Sequence, residues 1–320
     1  IQVKKMTDIV GKRFWFFLAS GILILFSIIS LGIFGLKPGI ELSSGSMLTV
    51  SFDQEVPKAE LKEELASAGY PGALIQETGE GGFLIRTEEL SGEDKTTLEE
   101  DLQSSFGEIT ESEFYSVSPM VASETARNAG IAIGVAAVGI LLYITWAFRR
   151  MPKPFRYGAC ALLALGHDTL IALGIFSVLG GSLGWEIDLM FITGILAVVG
   201  YSVNNTVVVF DRIRENLSRK ISPDFKTVVN ISLAETISRS LNTSLTTMFV
   251  ILALLLFVGS SIQNFAVVML IGVIAGTFSS ICIAPNLLIV WQEGRWKNLF
   301  KRNIHQVVER GESQASQEQR

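Results

Sequence analysis

The chain has 320 residues, of which 49% are hydrophobic and 18% are charged, and its mean hydropathy is +0.43. These values exclude an ordinary soluble globular protein and indicate a chain embedded in a membrane. The formal net charge of −5 hides an asymmetry, because segment 41–124 holds 19 of the 31 acidic residues and 4 of the 26 basic ones.

Six apolar segments are each long enough to cross a bilayer, for which about 20 apolar residues per helix are needed. The first run is too long for the apolar region of a cleaved signal peptide, and no polar, small-residue cleavage region follows it, so we predict a retained span. The six predicted spans cover residues 14–36, 129–148, 157–179, 187–210, 238–259 and 265–291.

Basic residues mark one side of the membrane, because short cytoplasmic loops hold an excess of Lys and Arg. They precede the first span, join the second to the third and the fourth to the fifth, and follow the sixth. We therefore predict a multi-pass membrane protein with both termini in the cytoplasm. Its predicted regions are a cytoplasmic N-terminus with the first span (1–40), an extracytoplasmic domain (41–124), spans two to six (125–292) and a polar cytoplasmic tail (293–320).

Segment 41–124 alternates between strand and helix patterns. Strand-like runs at 47–52, 73–78, 82–87 and 108–118 are interrupted by helix-like runs at 57–69 and 91–107. The residues GEG (79–81) predict a hairpin turn, and Ser91 with Asp94 predicts a weak form of the helix capping box. The order βαββαβ is that of the ferredoxin-like α+β unit.

This fold discloses no function by itself, since it hosts many. The exported domain has no histidine, no cysteine and no phosphate-binding loop, so a folded lid or spacer is the simplest interpretation. The two cysteines, Cys160 and Cys282, lie in predicted spans, and the only histidines are His167 and His305. We therefore expect no disulfide scaffold, no metal site, no catalytic residue and no enzyme activity.

The third predicted span carries an adjacent imidazole and carboxylate, His167 and Asp168, near its middle. Ionisable residues inside spans are rare and usually functional, and such pairs recur in proton relays. The alternative is a buried pair that only hydrogen-bonds across helices.

The fourth span carries a polar run near its cytoplasmic end. Asn204 and Asp211 are seven residues apart and share a helix face, while Ser202 and Thr206 face together beside that stripe. Arg239 enters the fifth span from the same side and could meet Asn205 at a similar depth, with Asn242, Ser244, Thr246 and Thr247 extending the polar seam. Amide side chains alone could serve only to hold helices together, whereas an Arg opposite them favours the interpretation as a functional site.

Four motifs resemble the SecF family of the bacterial SecDF complex, part of the resistance-nodulation-division-like superfamily. GYSVNNTVVVFDRIREN (200–216) resembles the family's fourth-span signature, usually GYSxNDTVVVFDRIREN. GHDTLIALGIF (166–176) resembles its third-span HD motif, ETISRSLNTSLTT (235–247) its fifth-span segment, and KPGIELSSGSMLTVSF (37–52) its GIDFxGG segment.

The resemblance implies a subunit that works with SecD beside the SecYEG channel and pulls or releases unfolded exported polypeptide on the outer side. The implied energy source is the proton gradient, with no cofactor and no nucleic acid partner. It places the family's fourth-span Asp at position 205 and its fifth-span Arg at Arg239, which together form the core of the family's proton path.

The sequence departs from the family pattern at two places. Asn205 cannot titrate. Either the chain is of a natural subfamily that couples through a carboxylate of SecD or works without protons, or an Asp was replaced by Asn in a way that mimics the protonated state. Glu41, Ser43 and Ser44 lie where the family usually has Asp-Phe-x-Gly.

A second function remains open from the sequence, namely a proton-coupled small-molecule exporter subunit of the resistance-nodulation-division type. Transporters often use two repeats, and six spans supply half of a twelve-span unit, so either function requires a partner or a dimer. An exporter should show porter domains in both large loops, whereas this chain has one modest domain.

Overall fold

The computed structural model of the chain describes residues 8–77, 82–257 and 262–294. The predicted GEG turn and the predicted tail from residue 295 onward lie outside these residues. The elements follow in the order α1 (Arg13–Phe34), α2 (Ile40–Ser43), β1 (Gly45–Phe52), α3 (Lys58–Ser67), β2 (Leu74–Glu77), β3 (Phe83–Thr87), α4 (Gly92–Phe106), β4 (Ile109–Val117), α5 (Pro119–Ala147), α6 (Phe155–Leu183), α7 (Leu189–Ser218), α8 (Phe225–Phe257), α9 (Gln263–Phe278) and α10 (Ala284–Glu293).

The chain divides into two compact units. The smaller unit comprises Lys37–Ala132 together with Glu186–Leu189, and it contains the sheet and helices α2 to α4. The larger unit comprises the described residues of the remaining chain and is helical.

Within the described residues, six helices are long and apolar enough to cross a membrane, which confirms the fold class predicted from the sequence. The sixth, Gln263–Glu293, is continuous from α9 through the π-helical segment Ser279–Ile283 into α10. The fifth, α8, begins 13 residues before the predicted span at 238. Its first turns bury Val228, Val229 and Leu233, so packing rather than span length sets where this helix begins.

The smaller unit contains a four-stranded antiparallel sheet in the order β2-β3-β1-β4, which confirms the predicted βαββαβ unit. Alternate residues of the central strands face the helices, as the two-residue period of a strand requires. Leu48 and Val50 of β1 and Ile85 of β3 are almost fully buried, and Leu48 pairs directly with Ile85. Burying each of these side chains contributes about 1.5–3 kcal/mol.

Helices α3 and α4 cover one face of the sheet with leucines spaced four residues apart. Leu61 and Leu65 of α3, and Leu98 and Leu102 of α4, join the core formed with the strands. A complete capping box begins α4: Ser91 Oγ accepts from the Asp94 amide, and Asp94 Oδ2 accepts from the Ser91 amide at 3.1 Å. The Ser91 hydroxyl, which donates to Asp94 Oδ2 at 2.7 Å, and the Ser91 amide lower the pKa of Asp94 below its ordinary value.

Two features shape the segment that leads into β1. Ser44 has a φ of 69° and precedes Gly45, whose φ is 126°, so two successive residues adopt a backbone that favours glycine. Arg86 of β3 holds this segment from the side: its guanidinium donates to the Pro38 carbonyl and to Ser43 Oγ, and it forms an ion pair with Glu186.

In the larger unit, α1 lies against α6 through small side chains. Ser30 Oγ donates to the Gly174 carbonyl at 3.0 Å, and Ser177 Oγ donates to the Ser30 carbonyl at 2.9 Å. Near the other end of α6, the rings of Phe148 and Tyr157 stack with centroids 5.1 Å apart. These contacts fix the helix that carries His167 and Asp168.

Candidate functional site

Asp168 lies near the middle of α6 and is completely buried. Its Oδ2 accepts hydrogen bonds from Ser202 Oγ at 2.6 Å and from Ser279 Oγ at 2.7 Å. Its Oδ1 lies 2.9 Å from Nδ1 of His167. Three polar groups from three parts of the chain therefore surround one carboxylate inside the membrane-spanning helices.

Glycine residues of α9 permit the close approach that this arrangement needs. A β-carbon at Gly276 would lie 3.0 Å from Cβ of Ser202, and one at Gly272 would lie 2.8 Å from Cβ of Val198. Helix α9 therefore packs tightly against α7 along the face that carries Ser202.

The π-helical segment Ser279–Ile283 places the second hydroxyl at the carboxylate. Such segments are rare and occur frequently at functional sites. Ser279 is fully buried, and its hydroxyl also approaches the Gly276 carbonyl at 3.3 Å. The wide turn thus directs Ser279 towards α6 at the level of Asp168.

His167 presents two different nitrogens. Nδ1 faces Asp168, whereas Nε2 is buried and has no hydrogen-bond partner among the described residues. The ring lies 6.3 Å from the ring of Phe278, centroid to centroid. The residue is 6% exposed and its side chain 4%, so the ring is buried among the helices.

Asn205 belongs to a second, uncharged cluster centred on Ser244 of α8. Ser244 Oγ receives hydrogen bonds from the hydroxyls of Tyr201 at 2.9 Å and Thr277 at 2.6 Å, while the Asn205 amide lies 3.5 Å away. Tyr201 and Asn205 flank Ser202 on the same helix, so α7 joins this cluster to the carboxylate cluster.

The structure distributes the other sequence-predicted residues between the inside and the outside of the unit. Thr206 is buried and donates to the Ser202 carbonyl of its own helix at 3.2 Å. Asp211 is exposed and pairs with Arg214 at 2.5 Å. Asn204, Arg239 and Asn242 are also exposed.

Arg239 and Asn205 are not brought into contact. Arg239 lies five residues before Ser244 on α8, which corresponds to about 140° around the helix, so the two side chains leave opposite sides. Within the described part of the chain, the Arg239 side chain makes no hydrogen bond or ion pair.

Sequence reasoning did not identify Ser279 or Thr277. Both lie in a polar interruption, Thr277 to Ser280, of the otherwise apolar sixth span. That interruption was the available signal, although hydroxyls in membrane helices commonly bond their own backbone. Chemically, the site can hold and exchange a proton; among the described residues there is no group of three His, Cys, Asp or Glu side chains able to hold a metal ion.

Two family models match the chain. The model of the C-terminal region of the protein export membrane proteins SecD and SecF matches residues 97–294, and the model of the SecD/SecF GG motif matches residues 29–56. Together they cover the C-terminal end of α1, part of the sheet unit and the helices of the site.

Curated relatives agree with these matches. The chain is similar to protein translocase subunit SecF of Thermobaculum terrenum, with 41% identity over 93% of this chain and 98% of that protein. It is also similar to protein translocase subunit SecF of Anaerolinea thermophila, with 38% identity. A third relative is protein translocase subunit SecDF of Bacillus subtilis, with 32% identity over 89% of this chain and 38% of that protein.

A solved structure also resembles the fold. The crystal structure of SecDF from Thermus thermophilus, a translocon-associated membrane protein, matches with a TM-score of 0.79 and 32% identity over 92% of this chain. The chain covers 40% of that SecDF chain, so it corresponds to less than half of the solved protein.

Proposed function

The chain belongs to the SecD/SecF family of protein export membrane proteins and has a role in Sec-pathway export, and we propose that it acts there as one half of a proton-coupled pair. In this proposal a SecD-type protein supplies the other half. The pair works beside the SecYEG channel and pulls or releases unfolded polypeptide late in export, on the side of the sheet unit. Both termini lie in the cytoplasm.

The observation that carries the proposal is a polar stripe on the outside of α8. Arg239, Asn242, Thr243 and Thr246 are all exposed, and they recur with the spacing of one helix face. Threonine hydroxyls in the stripe bond the backbone of their own helix, but the Arg239 guanidinium and the Asn242 amide extend from it.

This stripe lies in a segment apolar enough to span a membrane. Insertion scales give a cost of about 2.5–3.5 kcal/mol for an Arg at the centre of a membrane helix, and charged residues within spans usually face a helix bundle or a water-filled cavity. A second set of helices must therefore cover α8. The larger size of the solved SecDF chain supports a SecD-type partner as that second set.

The names of the relatives favour this function over the small-molecule exporter. The relatives described above are named as protein translocase subunits, whether the match is to a short SecF chain or to part of a longer SecDF chain. The modest size of the sheet unit also fits export assistance better than a substrate path for small molecules.

Co-purification tests the partnership directly. The chain and a SecD homologue are expressed together and extracted in mild detergent, with a photoreactive amino acid at position 246 on the exposed stripe. We expect a crosslink to the SecD homologue at 246 and none at the buried position 251 of the same helix. Recovery of only a monomer or a homodimer would contradict the proposal.

Substitution of Arg239 tests the functional part. Arg239→Leu should abolish export assistance without preventing membrane insertion, because it removes the positive charge that a group of the partner would compensate. The matched control is Arg150→Leu, which changes an exposed Arg in the loop between α5 and α6. Unchanged export with Arg239→Leu would contradict a role for the stripe.

A further inference from the structure

His167 Nε2 stands apart from the other buried polar atoms of the described residues. Several of those atoms lack a partner too, but they belong to hydroxyl and amide groups, or to Arg13, which lies 3.9 Å from Glu293. Hydroxyls, amides and guanidinium groups do not exchange a proton in the physiological pH range. An imidazole side chain can.

The contacts of Asp168 determine which nitrogen carries the proton. Two hydroxyls donate to Oδ2, at 2.6 and 2.7 Å, so the carboxyl group of Asp168 acts as a hydrogen-bond acceptor. In the same role, Oδ1 accepts a hydrogen bond from Nδ1 of His167. Neutral His167 then keeps its lone pair on Nε2.

Charge counting indicates what protonation does. With a neutral imidazole, the buried pair of His167 and Asp168 carries one negative charge. A proton on Nε2 gives an imidazolium beside a carboxylate, with no net charge. A buried charge without a counter-charge is costly, so the proton is stabilised by its neighbour.

Among the described residues, no other charged group makes a hydrogen bond or ion pair with His167 or Asp168. Four elements pack against the helix of His167: α1, α9, the π-helical segment and α10. Their charged residues are Arg13 and Glu293, which face each other at the helix ends. Two further helices, α5 and α7, also lie beside α6. The charged residues of α5 are Glu124 and Arg127, and those of α7 are Asp211, Arg212, Arg214 and Glu215. On α6 itself, the other ionisable residues are Arg156, Tyr157 and Cys160. Asp168 is the charged group in direct contact with the ring.

We infer that Nε2 of His167 takes up and releases the proton that Asn205 cannot carry, with Asp168 as its positioning residue. The proton comes from water, binds the Nε2 lone pair to form an imidazolium, and returns to water when it leaves. Ser202 and Ser279 donate hydrogen bonds to Asp168, so protonation of His167 changes the electrostatic environment of α7 and of the π-helical segment. This inference rests on the proposed proton-coupled function.

Nitrogen NMR of the full chain in lipid vesicles tests the site itself. Only His167 and His305 contribute imidazole signals, so His305→Gln leaves one. We expect a tautomer with the proton on Nδ1, and protonation of Nε2 as the pH falls. Asp168→Asn should weaken the preference for the tautomer with the proton on Nδ1, since it removes the carboxylate acceptor. A tautomer with the proton on Nε2, or no titration between about pH 5 and 8, would overturn the inference.

Reconstituted export tests the consequence. Vesicles contain the translocon, the SecD-type partner and the chain, and the measured quantity is the increase in export that needs both this chain and the proton gradient. His167→Asn keeps an amide donor near Asp168 but no titratable nitrogen, so this increase should be lost. Ser279→Ala should reduce it, whereas the matched control Ser280→Ala should not, because Ser280 donates to the Thr277 carbonyl instead.

The outcomes separate the inference from the proposed function. If His167→Asn keeps the full gradient-driven increase while still co-purifying with the partner, the inference is wrong and the proposed function stands. If the unchanged chain shows no gradient-driven increase, proton coupling is contradicted, and the NMR titration still decides whether His167 exchanges a proton.

Discussion

Gly272 of α9 packs directly against Val198 of α7, so closely that a β-carbon at position 272 would lie 2.8 Å from Cβ of Val198. The same face of α9 places Gly276 against Ser202, one of the two donors to Asp168. The geometry of the buried carboxylate therefore depends on the absence of side chains on one helix.

Gly272→Ala should destabilise the larger unit by about 1–3 kcal/mol, because the added methyl group forces the two helices apart. The midpoint of thermal unfolding in detergent measures the effect. Gly134→Ala is the matched control, since it lies in the same unit and a β-carbon there meets nothing within 4 Å. Equal midpoints for both variants would show that the helices do not need this close approach.

Ser44→Gly should stabilise the smaller unit by about 1 kcal/mol. Ser44 has a φ of 69°, and strained backbone of this kind costs about 1–3 kcal/mol, part of which is offset by the greater freedom of glycine in the unfolded chain. Hydrogen exchange of the β1 amides in the full chain measures the change.

The opposite substitution at the adjacent position, Gly45→Ser, provides the control. Gly45→Ser should destabilise the same strand, because its φ is 126° and a β-carbon would lie 2.7 Å from the Thr87 carbonyl oxygen. Faster β1 exchange in Ser44→Gly than in the unchanged chain would refute the assignment of strain to Ser44.

Glu186→Gln should alter how the stability of the smaller unit depends on pH. Burial raises the pKa of Glu186 despite the opposing effect of Arg86, and Glu41 and Asp188 raise it further. The folded chain thus binds this proton more tightly than the unfolded chain, and the resulting stability is lost as pH rises through the folded pKa. The free energy of unfolding of the unchanged chain, minus that of Glu186→Gln, should fall as pH rises above about 4.

Asp94→Asn is the control with the opposite sign. Hydrogen bonds from Ser91 lower the pKa of Asp94, so its contribution to stability is present above the ordinary value and lost as pH falls through the folded pKa. The corresponding difference for Asp94→Asn should rise with pH. A common slope for the two variants would mean that neither local environment sets the pH dependence.

Asn205→Asp should destabilise the larger unit, and more so at high pH than at low pH. Asn205 is 2% exposed, and among the described residues its side-chain contact is the hydroxyl of Ser244. An ionised carboxylate there lacks a counter-charge and costs roughly several kcal/mol through lost hydration, and a proton added at low pH removes that charge. Asn204→Asp makes the same change at an exposed neighbour. A pH-independent loss, or an equal loss at 204, would contradict burial as the cause.

The fold could be predicted because each element carries its own periodic signal. Leu61 and Leu65 lie four residues apart on a helix, and Leu48 and Val50 lie two apart on a strand, so the βαββαβ order followed from the sequence alone. Helix ends were less predictable. The start of α8 depends on Val228 and Val229, whose burial comes from tertiary packing rather than from membrane length.

The site could be predicted only in part. His167 and Asp168 were identifiable because ionisable residues are rare in apolar spans. Their partnership with Ser202 and Ser279 was not, since it depends on the rotation of three helices about their axes. The same rotation directs Arg239 away from Asn205, a geometry that the depth of each residue along its helix cannot reveal.

The π-helical segment Ser279–Ile283 has a practical consequence for scanning experiments on the sixth span. One extra residue in a turn shifts the phase of a helical wheel by about 100°. A wheel drawn continuously from Gln263 would therefore assign each residue of α10 to a neighbouring face. Cysteine-accessibility patterns from α9 and α10 should show two separate phases, with the break after Phe278.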